Sequence, residues 1–230
     1  MKKISKNIKA SSHSKHYLLH RYWGRKAHNV VNEYIKNYTK KNDLVLDPFM
    51  GSGVVPIECS KMQRKAIGVD LNPISTFIVN NTINKIDLSL LEKNFDRIFN
   101  KNKKKYESFY FSKCNKCKSD AIIENSVWKE KVFYSIKIRC ENCGVSIKKA
   151  DAFDKKLLKK ISLIFNKEKN NFYYPKEKIL KYVKRSDKTH MDMLFTERAL
   201  IILGNINKDI QKIVNKKIRD NLKLCFSSML

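Results

Sequence analysis

Cys114, Cys117, Cys140 and Cys143 stand as two Cys-x-x-Cys pairs, separated by a segment long enough to fold into a hairpin. Four thiolates at this spacing make a closed tetrahedral site, and zinc is the ion that such a soft donor set selects. Four protein ligands leave no position open for water, so the expected role of the metal is structural rather than catalytic. Cys59 and Cys225 lie in segments with helical periodicity and read as core thiols. The first residues are lysine-rich with no apolar stretch behind them, which is not a signal peptide, and thiols in a reducing compartment are ligands or free groups more often than disulfides.

A second constellation lies towards the N-terminus. The apolar run Asp43-Leu44-Val45-Leu46-Asp47 opens into Pro48-Phe49-Met50-Gly51-Ser52-Gly53. This reads as a buried strand feeding a glycine turn, with a helix following over residues 54–62. Glycines at 51 and 53 let the backbone approach a ligand with no Cβ in the way, and the helix presents free N–H groups. The next short run, Ala66-Ile67-Gly68-Val69, ends in Asp70, a carboxylate placed to accept hydrogen bonds from the hydroxyls of a ribose. Roughly twenty residues separate Asp47 from Asp70, the length of one β-α-β unit, so an adenosine would be bracketed by the two strand ends. The turn has neither the Gly-Lys-Ser/Thr of a phosphate loop nor the Gly-x-Gly-x-x-Gly of a dinucleotide loop.

These groups need elements to hold them. Residues 1–15 are polar and basic and are expected to form a flexible arm. Val30, Val31, Tyr34, Ile35 and Tyr38 recur at helical spacing, so a helix is expected up to about Tyr38. Residues 16–100 are taken as the cofactor-binding part of an α/β domain, with a further helix over residues 74–81. Residues 86–110 read as helical and basic, broken at 101–105. Residues 106–150 form the ribbon, in which 121–123 and 132–138 have strand character around a turn at Lys129-Glu130. Residues 151–230 are expected to be mostly helical and basic. Within them 150–190 are unassigned apart from an aromatic patch, Phe172-Tyr173-Tyr174-Pro175, while Ile206, Ile210, Ile213, Val214, Ile218, Leu222 and Cys225 trace one face of a long helix.

Asp47-Pro48-Phe49-Met50-Gly51-Ser52-Gly53, taken with Asp70-Leu71-Asn72-Pro73, resembles the S-adenosylmethionine-dependent DNA methyltransferases. Their first motif has the form Asp-Pro-Phe-x-Gly-Ser-Gly, and their second strand commonly ends in Asp-Leu-Asn-Pro. The resemblance implies a partial Rossmann-like methyltransferase sheet and S-adenosylmethionine as cofactor. It implies that Asp47, Phe49, Gly51 and Gly53 line the methionine side and that Asp70 holds the ribose, with Pro48, Leu71 and Asn72 completing the set. His20-Arg21-Tyr22-Trp23-Gly24-Arg25-Lys26 is similar to an N-terminal motif, Tyr-Trp-x-x-Lys-Pro, of a bacterial subset that methylates amino groups. There the motif closes over the amino-acid end of the cofactor, and Tyr22, Trp23 and Lys26 are assigned to the cofactor on that basis. Ala27 stands where the family usually has proline. Read from the residues alone, a Tyr-Trp pair flanked by Arg and Lys is also a stacking patch for nucleic acid. The same subset carries a zinc ribbon after the second strand.

Lysine and arginine number 49 against 22 acidic residues, a formal charge of +27 that attracts a phosphate backbone at long range. The lysine excess, beside abundant Asn and Ile, also fits an AT-rich genome, so charge alone decides nothing. No run approaches the roughly 18 apolar residues of a membrane span, and the chain is expected in the cytoplasm with DNA as partner and no membrane. Trp128, Phe133 and Tyr134 with Lys129, Lys131, Lys137 and Arg139 suit DNA contact by the ribbon, yet a domain this small needs aromatics for its own core. The resembling family also uses an (Asp/Asn/Ser)-Pro-Pro-aromatic strand to bind an exocyclic amine and stack a flipped base. Pro48, Pro56, Pro73 and Pro175 are the only prolines and no two are adjacent, so no catalytic residue is assigned. The expectation is the cofactor-binding portion of a site-specific, restriction-modification type DNA methyltransferase, acting on adenine N6 ahead of cytosine N4. It is truncated before the catalytic motif and inactive alone, with a second polypeptide carrying that motif as candidate partner. An RNA methyltransferase fragment and a non-enzymatic zinc-ribbon nucleic-acid-binding protein are the alternatives.

Overall fold

A computed structural model of the chain describes residue 4 and residues 7–129, 132–179 and 188–229. The first elements are α1 (His28–Tyr38), β1 (Leu44–Asp47), α2 (Val54–Lys61), β2 (Lys65–Gly68), α3 (Pro73–Ile83), α4 (Leu88–Lys101) and α5 (Lys103–Ser108). Then come β3 (Phe111–Lys113), β4 (Asp120–Lys129), β5 (Val132–Cys140), β6 (Gly144–Lys149), α6 (Ala152–Glu168), α7 (Glu197–Gln211) and α8 (Lys216–Ser227). They form two compact units, Met1–Asn94 with Ile213–Leu230, and Phe95–Lys212. This division differs from the one read off the sequence, because α6 and α7 join the ribbon while α8 returns to the first unit.

In the first unit β1 and β2 pair in parallel, Leu44 opposite Lys65 and Leu46 opposite Ile67, with α2 as the crossover between them. The expected β-α-β unit is present. α2 packs on the strands, α1 on α2, and α3 on α2 and α8. Tyr17, Val54 and Ile57 make a small buried cluster with Val31 against it. The strands themselves are not buried, contrary to expectation. Side chains alternate across a sheet. Val45 and Ala66 are half-buried on one face, whereas Leu46 is 63% exposed and Ile67 48% exposed on the other, together with Leu44 and Val69. A parallel sheet is normally covered on both faces, and here the described residues cover one. β2 also stops at Gly68, so Asp70 belongs to the following loop rather than to the strand.

In the N-terminal arm the Asn29 side chain of α1 donates to the Lys9 carbonyl at 2.8 Å and accepts from the Ser11 N–H at 3.0 Å. One further expectation changes in this unit. The long C-terminal helix is two helices. Asn215 caps α8 by accepting the Ile218 N–H at 3.2 Å, which starts a new helix, and Val214 is left 94% exposed instead of lying on a shared apolar face.

The second unit is built on a four-stranded antiparallel sheet in the order β3-β4-β5-β6. Lys129 pairs with Val132 at the hairpin; the turn residues Glu130 and Lys131 lie outside the described residues. The two outer strands were not foreseen, being short and adjoining the cysteine pairs. Cys114, Ala121, Ile123, Phe133, Ile136, Ile138 and Cys140 form the ribbon core, with Leu158 of α6 packed against it. α6 opens with a capping box between Asp151 and Asp154. Asp154 is buried, accepts from Ser112 Oγ at 2.6 Å and pairs with the buried Lys148 at 2.9 Å, which fastens the helix start to β3 and β6. Phe172 and Tyr174 of the aromatic patch are core residues, packed with Phe109, Ile161, Leu200 and Ile201, while Tyr173 points outward.

Candidate functional site

The carboxyl ends of β1 and β2 are drawn together by backbone bonds. The Val69 N–H donates to the Asp47 carbonyl at 2.9 Å, and the Met50 N–H donates to the Val69 carbonyl at 3.0 Å. Between them the chain turns tightly, with the Gly53 N–H on the Met50 carbonyl at 2.8 Å. Gly51 has φ +52° and Gly53 φ +79°, conformations in which a Cβ is strained. At Gly53 it would also meet Val79 Cγ2 at 2.1 Å, so the turn packs directly on α3. The Asp47 carboxylate is buried and accepts from the Phe49 N–H at 3.2 Å.

Asp70 reaches the same turn from the loop that follows β2. Its Oδ2 accepts the Gly51 N–H and its Oδ1 the Asn72 N–H, each at 2.8 Å. These backbone donors, Asn72 first and Gly51 next, hold its pKa below the ordinary carboxylate value. An ionised carboxylate has about four acceptor positions, so acceptor capacity remains beyond these two bonds for the hydroxyls of a ribose. Asn72 caps α3 through the Ile74 N–H, with Pro73 at the first helical position.

The segment before α1 lies against this turn. A Cβ on Gly51 would sit 3.2 Å from Tyr22 Cε1, and Tyr22 Oη lies 3.0 Å from Ser75 Oγ. Tyr22, Lys26, Asp47 and Phe49 line one small cavity of about 50 Å3. That is well below the roughly 300 Å3 of an enclosing ligand pocket, so a cofactor would lie on the open rim. Trp23 is 91% exposed and Phe49 83%, and Pro48 and Leu71 are also exposed. Two residues outside the sequence assignment hold the segment. Arg25 Nε donates to Ser52 Oγ at 3.1 Å, while its guanidinium also bonds the carbonyls of His20 and Tyr17. Burial lowers the Arg25 pKa. The only sequence signal for Arg25 was its place inside the Tyr-Trp segment, and for Ser52 its place between two glycines.

The four cysteines converge as their spacing required. Their sulfur atoms all lie within 4.8 Å of one another, and Cys117 Sγ is 3.5 Å from Cys140 Sγ. A tetrahedron with arms of about 2.3 Å has edges of roughly 3.8 Å, so the donor set fits zinc. Each knuckle closes on a left-handed residue, Lys118 at φ +65° and Gly144 at φ +71°. Hydrogen bonds from Ser119 pull the Cys117 thiol down to about 6, and the neighbouring Cys117 pushes Cys143 up to about 12. Held as thiolates at this spacing the four sulfurs would repel one another, and a bound cation would offset that charge. Cys59 is fully buried and Cys225 partly so, both on helices.

Residues 1–79 match the DNA methylase family model. That stretch holds the Tyr22 segment, the glycine turn and Asp70. Curated relatives align with the chain over short segments. A type II methyltransferase of Methanocaldococcus jannaschii is 32% identical over 85 residues, 37% of this chain and 16% of the relative. One from Citrobacter freundii is 40% identical over 62 residues, 27% of this chain and 21% of the relative, and one from Moraxella bovis is 34% identical over 64 residues, 28% and 25%. The chain thus spans a quarter or less of the length of these relatives. No solved structure matches it. Among the described residues no helix is long and apolar enough to cross a membrane.

Proposed function

We propose that the chain is the cofactor-binding part of a site-specific DNA methyltransferase that uses S-adenosylmethionine to methylate an exocyclic amine, adenine N6 ahead of cytosine N4. The observation that carries this reading is the 2.8 Å bond from the Gly51 N–H to Asp70, which unites the glycine turn and the acidic loop after β2 inside the stretch that matches the family. Asp70 would take the ribose, Asp47, Phe49, Gly51 and Gly53 the methionine side, and Tyr22, Trp23 and Lys26 the amino-acid end, with Pro48, Leu71 and Asn72 shaping the rim. When bound, the cofactor supplies an electrophilic methyl group. This chain's residues bind and orient it. They do not activate the amine, because no Pro-Pro-aromatic run is present to accept the amine's hydrogen bonds and stack the base. Such a strand would have to come from outside these 230 residues. The uncovered face carrying Leu46 and Ile67 supports an incomplete sheet.

Zinc at Cys114, Cys117, Cys140 and Cys143 would be structural. DNA would be held mainly through its phosphates, given the formal charge of +27. Calorimetry with S-adenosylmethionine tests the site: Asp70→Ala should weaken binding by about tenfold or more, and equal affinity would count against it. Labelled methyl transfer then separates DNA from RNA as substrate. Incorporation into a duplex by the isolated chain, above a Gly51→Trp control, would show a catalytic group that this reading omits.

A further inference from the structure

Ser75 is buried, with no exposed surface, at the third position of α3. It is not one of the residues that sequence or resemblance assigns to the cofactor, yet it sits where two parts of that site meet. On one side its Oγ lies 3.0 Å from Tyr22 Oη, a contact between residues 53 positions apart. On the other its hydroxyl joins the backbone donors that favour the ionised form of Asp70. A serine hydroxyl has one proton to give and lone pairs to accept with. Either hydroxyl can donate in the 3.0 Å contact with Tyr22, and that contact fixes the Tyr22 ring beside the start of α3.

The same Tyr22 ring rests against Gly51, whose N–H also donates to Asp70. Seating of the Tyr22-Trp23 segment and orientation of Asp70 therefore share partners. We propose that Ser75 is a positioning residue that couples seating of the Tyr22-Trp23 segment over the glycine turn to the orientation of Asp70, so that cofactor binding and segment seating are cooperative. The inference rests on the S-adenosylmethionine reading above. Without such a role, a buried serine replaced by alanine would change stability and leave the two ends of the site independent.

The test uses the full chain carrying Trp128→Phe, which leaves Trp23 as the remaining tryptophan and its exposed indole as a reporter. Cofactor affinity is measured by calorimetry and segment seating by Trp23 fluorescence, with zinc content and thermal unfolding as checks on the fold. Ser75→Ala and Tyr22→Phe should each weaken S-adenosylmethionine binding by about tenfold, and the double variant should be no weaker than either alone. Ser75→Ala at saturating cofactor should lose the Trp23 response. Additive losses, unchanged affinity, or a full Trp23 response in Ser75→Ala would overturn the coupling. Absence of binding by the parent chain would instead overturn the cofactor reading, and this inference with it.

Discussion

The Tyr17 phenol donates a 2.6 Å hydrogen bond to Glu58 Oε1, fixing the N-terminal segment to the helix that follows the glycine turn. Asn32 donates to the other oxygen at 2.7 Å and Lys61 bonds Oε1 at 2.6 Å, so three elements meet on one buried carboxylate. Burial by itself would raise the Glu58 pKa; the bonds from Lys61, Tyr17 and Asn32 outweigh it and leave the value below the ordinary 4.5. A carboxylate depressed by folding contributes stability above its unfolded pKa and loses it as pH falls through the folded one. Glu58→Gln should therefore cost about 2 kcal/mol at neutral pH, and the gap between wild type and variant should close as pH drops below about 4.5. Thermal unfolding of both proteins across that range is the check. A gap independent of pH would remove the charge from the explanation.

Gly53→Ala tests the turn. The substitution places a Cβ at φ +79° and against Val79 Cγ2, so a loss of about 2 kcal/mol or more in stability is expected. Adding Val79→Ala should return only the steric part, leaving the backbone strain. Full recovery in the double variant, by urea unfolding, would mean that the left-handed conformation carries no cost.

The metal centre gives the third prediction. Purified protein should hold one zinc per chain, and Cys114→Ser or Cys140→Ser should unfold the ribbon locally. Chelation should produce the same change in the near-ultraviolet signal of Trp128, whose ring packs 5.0 Å from Phe133 in the ribbon. Elemental analysis without stoichiometric zinc, with every thiol reactive in the folded protein, would refute the site.

Lys148 gives the fourth. Its ammonium is buried between Asp151 at 2.6 Å and Asp154 at 2.9 Å. Burial pushes its pKa down, but the bonds to the two carboxylates prevail and leave it raised. Removing one member of a buried ion pair leaves an uncompensated charge, so Lys148→Ala should cost about 3 kcal/mol. Equal stability of Lys148→Ala and wild type in urea would show that the pair is solvated and unimportant.

Local spacing made part of this protein legible in its sequence. Two Cys-x-x-Cys pairs fix four sulfurs at knuckle ends, and a glycine turn between an acidic strand end and a helix fixes the cradle, because both depend on backbone geometry over a few residues. Helical periodicity found α1 and its neighbours for the same reason. Tertiary structure decided the rest. Val214 continues an apolar pattern in sequence, but the Asn215 cap breaks the helix there. Leu46 and Ile67 read as buried, yet burial depends on what covers a face, and no local signal carries that. The bonds of Tyr22 to Ser75, Arg25 to Ser52 and Lys148 to Asp154 join side chains whose types are unremarkable alone. They acquire a role only once packing removes water and leaves each polar group to find a partner, which spacing along the chain does not specify.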